Sequence, residues 1–130
     1  MLYLFVVGRI LLGVYFLISG YNHFKNLKML TGYADSKGVP MPATSVVLTG
    51  LMMVLGGAGV LLGIYTQISI LLLVVFLIIT TFMMHQFWTV ADPMQKMGEE
   101  INFKKNLALV GALLCMLAIP SFVWMQVALF

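Results

Sequence analysis

The sequence predicts an all-α integral membrane protein, a single domain over residues 1–130 built as a four-helix transmembrane bundle. Three observations predict it. First, 62% of the 130 residues are hydrophobic and only 8% are charged, against roughly 25% charged in a soluble domain. That much apolar surface cannot be hidden in a core of this size. Second, four apolar runs, residues 2–20, 44–62, 68–84 and 107–127, each approach the ~20 residues that cross a bilayer as a helix. Third, the polar residues gather in two intervals, 23–42 and 85–106, placed between the first and second runs and between the third and fourth.

The first run is interrupted only by Arg9. No positive residue precedes it and Lys25 and Lys28 follow it, so it reads as a retained helix rather than a cleaved leader. Gly13 and Gly20, seven apart, share a face where a neighbouring helix can come close. Past Gly20 the chain becomes interfacial, with an amphipathic continuation toward Leu30. Residues 31–43 hold Gly32, Gly38, Pro40 and Pro42, and the spaced prolines predict a connector rather than a continuous helix. The second run is dense in glycine. Gly50 and Gly57 share a face and Gly59 with Gly63 has small-xxx-small spacing, which in lipid points to helix packing. Residues 63–67 make a tight, uncharged turn. The third run is rich in Ile, Val and Leu, but a lone strand would leave its backbone unpaired in lipid, so a helix is expected. In the fourth, Ala108, Ala112 and Cys115 make another small-residue face, and Pro120 kinks or ends the helix early. Cys115 reads as a small packing residue, and as the single cysteine it excludes an intrachain disulfide or a paired-thiol redox centre.

Sidedness follows from the lysines. Lys25, Lys28, Lys37, Lys96, Lys104 and Lys105 all fall in or beside the first and third connectors, which places those connectors in the cytoplasm and both termini outside. Tyr3, Tyr65 and Trp124 would mark one interface, Tyr21 and Trp88 the other. The formal net charge is +3, yet no basic cluster interleaves with aromatics, so nucleic acid is set aside as a partner. The lipid bilayer is the partner composition demands. Small-residue faces on three spans add an expected homo-oligomer or larger membrane complex, weakened by leucine at Gly59 or Gly63.

The chemistry-bearing residues lie at the connector side. His23, His85, Trp88, Lys105 and Asn106 all fall at or just beyond helix ends there, with Lys105 and Asn106 opening the fourth span. Asn106 there would cap or brace the helix end, and Lys105 would bind the last carbonyls of a neighbour. One reading is structural, a polar cluster fixing how the connectors pack. The other is a pocket for a small polar or anionic ligand or a quinone headgroup, its tail between helices. Haem is disfavoured, because bundles place axial histidines within their spans and His23 and His85 sit near the edges. No histidine–carboxylate spacing suits a metal, so none is expected. Arg9 is the one intramembrane charge, and Asp35, Asp92, Glu99 and Glu100 are all on the opposite side. Its expected partners are outer-leaflet phosphates, carbonyls near Gly63 or the Phe130 carboxylate. Snorkelling to the surface is the plain reading and an interior binding role the functional one. Ser19, Thr80 and Thr81 read as hydroxyls satisfied by helix carbonyls. No nucleophile–base–acid set is present, so no catalytic residue is assigned.

These residues resemble the DoxX family of small four-helix membrane proteins over nearly the whole length. The likeness rests on Arg9, Gly13 and Ser19-Gly20-Tyr21-Asn22-His23-Phe24; on Gly38-Val39-Pro40-Met41-Pro42; on Gly50, Gly56-Gly57 and Gly63; and on His85-Gln86-Phe87-Trp88 with Asn102-Phe103-Lys104-Lys105-Asn106-Leu107. The family is similar to the small subunit of archaeal thiosulfate:quinone oxidoreductase, and some relatives associate with redox-stress membrane complexes. The resemblance therefore implies a multi-pass inner-membrane protein serving as an accessory or structural subunit of a redox-associated complex. The alternative is a quinone- or sulfur-linked oxidoreductase component with its pocket near His23, His85 and Lys105. Relatives often carry glutamate where this chain has Met53, so a pocket or proton relay built on that carboxylate is not expected here.

Overall fold

The computed structural model describes residues 1–128. The chain is helical: α1 (Leu2–Lys25), α2 (Leu27–Ser36), α3 (Pro42–Leu62), α4 (Thr66–Met84), α5 (Pro93–Leu117) and α6 (Ser121–Gln126), with a 3-10 turn at Phe87–Thr89. Helices α1 and α3 and the helix starting at Thr66 are long and apolar enough to cross a membrane. The helices pack in chain order, α1 on α3, α3 on α4 and α4 on α5. Their shared core includes Phe16, Val60, Leu73 and Leu113, all fully buried.

Glycine sets the distance between the first two long helices. A Cβ at Gly13 would lie 2.9 Å from the Leu61 Cα and 3.0 Å from the Gly57 carbonyl oxygen, and one at Gly20 would lie 3.1 Å from the Gly50 carbonyl. The backbones touch where only glycine leaves room. Gly56 meets Leu73 and Gly59 meets Ser69, which brings α4 equally close to α3. The small faces of the first and second spans are therefore consumed within the chain. They are not free for a neighbour, and leucine at Gly59 or Gly63 would disturb the fold before any association. The small face of α5 differs: Ala108, Gly111, Ala112 and Cys115 are exposed, so Cys115 does not pack inside.

Several boundaries move. The first connector is mostly helix, because α2 runs to Ser36 after a break at Asn26 alone, where φ is −110°. Gly38, at φ +75°, ends it, and the prolines then act as the sequence demands: Pro42 takes the first turn of α3, where no N–H is needed. The largest shift is in α5. Asp92 caps it, accepting a hydrogen bond from the Gln95 N–H at 2.9 Å, and Pro93 follows at the first position. Lys105 and Asn106 are thus well inside a 25-residue helix, and neither can cap it. The fourth apolar run is delivered in two pieces, the end of α5 and α6, separated at Pro120. Trp124 is buried edge-on against Phe5, with centroids 4.8 Å apart, rather than standing at an interface. Tyr3 and Tyr65 remain exposed. Asp92→Ala should lower stability by about 1 kcal/mol, while Asp92→Asn should be nearly silent. Thermal unfolding in detergent reads both, and equal losses would show that the cap is not what starts α5.

Candidate functional site

A cavity of about 450 Å³ lies between the connector-side halves of the helices. Its walls are chiefly apolar, from Phe16 on α1, Val46 and Met53 on α3, and Phe76, Leu77 and Met83 on α4. Leu30, Ala34, Val39 and Pro40 cover it from α2 and the segment after it. Tyr15, Leu48 and Ile79 both line it and are more than a third exposed. They belong to three long apolar helices, so the cavity opens sideways at membrane depth.

Four of the predicted residues come together here. His23, His85, Lys105 and Asn106 all line the cavity. Their order along the helices explains it: His23 ends α1, His85 caps α4, and Asn106 lies on α5 where that helix passes α4. Asn106 is 6% exposed and lines the cavity. Lys105 is an exposed wall residue, its ammonium 3.5 Å from Asn102 Oδ1.

At the connector end one carboxylate joins three elements. His85 Nδ1 lies 2.6 Å from Glu99 Oε2, Lys37 Nζ lies 3.2 Å from Glu99 Oε1, and the Tyr33 hydroxyl donates to the same oxygen. Glu99 is 12% exposed. Burial by itself pushes its pKa up, but the hydrogen bonds from Tyr33, His85 and Lys37, with the Lys37 charge, outweigh burial and hold it below the ordinary carboxylate value. Burial, then the hydrogen bond to Glu99 and its charge, hold the Tyr33 phenol well above its ordinary value. An ionised Glu99 can only accept, so His85 carries its proton on Nδ1. His23 is fixed the same way, its Nδ1 donating to the Ser19 carbonyl at 2.9 Å.

Glu99, Tyr33 and Lys37 were not predicted. The available signal was the Asp-Pro pair at positions 92 and 93: a helix starting there puts Glu99 two turns before Asn106 on the same face. Trp88 is not part of the cavity. It is 53% exposed and stacks edge-on with Phe87 and Phe103, which also meets Phe82, so this aromatic group props the turn below His85.

Arg9 lies apart, toward the other end of α1. It is fully buried, which rules out snorkelling. Its Nη2 donates to the Val127 carbonyl at 2.7 Å, and its Nη1 packs against Gly63, whose φ of +77° closes α3. Neither Nη1 nor Nε has a partner among the described residues. The carbonyls near Gly63 are therefore not its acceptors, and the Phe130 carboxylate lies outside the described residues. Thr81 Oγ1 is likewise buried without a partner among them, contrary to the expected backbone bond.

Comparison with known proteins agrees with the helices. Inner membrane protein YphA of Escherichia coli (strain K12) is 28% identical over 112 residues, covering 85% of this chain and 79% of the relative. No solved structure matches the chain. The family model described as DoxX matches residues 4–86, from the first turn of α1 through the end of α4, with both cavity histidines. This membrane protein belongs to the DoxX family.

Proposed function

We propose that the protein binds an amphiphile with a quinone-type ring in the lateral cavity and serves as a quinone-binding component of membrane redox chemistry. The carrying observation is the cavity itself: about 450 Å³, apolar walled, open at membrane depth, with His23, His85 and Asn106 at one end. A ligand arriving from lipid would lay its tail along α3 and α4 and its ring against those polar groups, the usual division of labour in small-molecule sites. Mass spectrometry of lipid extracted from protein purified in mild detergent is expected to recover a quinone, or the quinol that oxidises to it on work-up, near one per chain. Thr49→Trp, which fills the cavity from α3, should lose it without loss of helicity. Recovery of equal quinone from both proteins would mean it is bound elsewhere or carried as bulk lipid.

A second reading, an accessory subunit that associates through its helices, is supported by the exposed Ala108, Gly111, Ala112 and Cys115 on α5. Nothing lies within 4 Å of a Cβ added at Gly111. The two readings are compatible, since Ala108, Gly111, Ala112 and Cys115 are not among the residues that line the cavity.

A further inference from the structure

We infer that the group recognised at the polar end of the cavity is a hydroxyl donor, a phenol or the quinol form of a ring, rather than a carbonyl. This rests on the amphiphile reading and goes one step past it. Both histidines have their Nδ1–H already engaged, His23 with the carbonyl of Ser19 at 2.9 Å and His85 with Glu99 at 2.6 Å. A neutral imidazole has one donor and one acceptor nitrogen. What each ring still offers the cavity is the bare Nε2, and Nε2 accepts. Glu99 does not require a cationic His85, because Lys37 at 3.2 Å already supplies its counter-charge. In its neutral form His85 serves Glu99 as an N–H donor through Nδ1, which leaves Nε2 bare.

A quinone carbonyl facing two acceptor nitrogens makes no hydrogen bond to either and strips both of water. A hydroxyl donates to Nε2 and keeps its lone pairs for the amide of Asn106, a residue that is 6% exposed and lines the cavity. A site built to pair with a hydroxyl rejects the analogue that lacks it, because its own buried polar atoms are then left unsatisfied. The arrangement by which a second group fixes the tautomer of a ring and leaves the opposite nitrogen to the ligand is a general one for histidine.

The test uses the full chain in lipid nanodiscs and three probes of similar shape: 4-heptylphenol, its methyl ether 4-heptylanisole, and heptyl-1,4-benzoquinone. The phenol should bind about tenfold or more tighter than either of the others. His23→Phe and His85→Phe should each bring phenol affinity down toward that of the ether while leaving the ether unchanged, which also certifies that the cavity has survived. Equal affinity for phenol and ether, or a quinone that binds as well as the phenol, overturns hydroxyl recognition and leaves the amphiphile cavity standing. Failure of all three to bind overturns both. Nitrogen NMR of histidine-labelled protein is independent of any ligand: the neutral form of both rings should be the Nδ1–H tautomer, and an Nε2–H tautomer of either overturns the assignment.

Discussion

Gly13→Leu is expected to destabilise the protein by about 3 kcal/mol, at the upper end for overpacking a tight contact. The neighbouring atoms include the Leu61 Cα at 2.9 Å and the Gly57 carbonyl at 3.0 Å. Backbone of a packed helix cannot rotate away as a side chain can, so α1 must lift off α3. The effect runs against propensity, since leucine in a helix interior is favoured over glycine by roughly 1 kcal/mol. Gly111→Leu provides the control. It has the same propensity gain, with nothing within 4 Å of the added Cβ, and should unfold no more easily than the parent. Detergent unfolding followed by circular dichroism compares them, and similar curves would show that α1 and α3 do not touch backbone to backbone. If the α5 face is an interface, Gly111→Leu should shift the oligomer distribution while leaving stability alone.

Glu99→Gln should be the most damaging change at the connector end, at about 2 kcal/mol near neutral pH, because hydrogen bonds to a charged acceptor contribute more than neutral ones. An amide matches neither of its surroundings: its oxygen can serve only some of Tyr33, Lys37 and His85, and its NH₂ then faces a donor. The dependence on pH follows from the two shifts. Glu99 is held below its ordinary value, so its contribution is full above the unfolded carboxylate pKa of about 4.3 and is lost as pH falls through the lower folded value. Tyr33 is held above its ordinary value; its contribution is full below about 10 and is lost as pH rises through the folded value. The stability gap between parent and Glu99→Gln should therefore form a plateau across neutral pH and shrink at both extremes. A gap that grows in acid would mean that Glu99 is not stabilised as a carboxylate.

The contrast between these two regions shows where the sequence is readable. Composition and run length are enough for α1, α3 and α4, because lipid imposes one rule on every residue of a span. The positions His23, His85, Lys105 and Asn106 were also legible as a group, since helix length fixes depth. Their partners were not. Residues 93–106 are polar, and polarity alone does not distinguish a loop from a helix outside the bilayer; only the Asp92 cap and Pro93 carry that information. Once the helix is allowed, Glu99 falls on the Asn106 face. Tyr33 and Lys37 reach it only because α2 continues past the point where the later prolines suggested a break. Arg9 was legible as an intramembrane charge, but its acceptor, 118 positions away, depends on how the two ends of the chain meet.

That meeting bears on how the protein is made. Arg9 enters the membrane with the first helix, and its one hydrogen bond among the described residues is to Val127, in a segment synthesised after all of α1 to α5. Until α6 arrives and Trp124 seats against Phe5, the guanidinium has neither that carbonyl nor that cover. The first span must therefore wait, its charge attended by water or lipid headgroups, while the intervening helices are inserted. Closure of this end follows the insertion of α1 to α5, and ribosomes stalled before α6 should leave a bundle whose first helix is still reachable from water at Arg9.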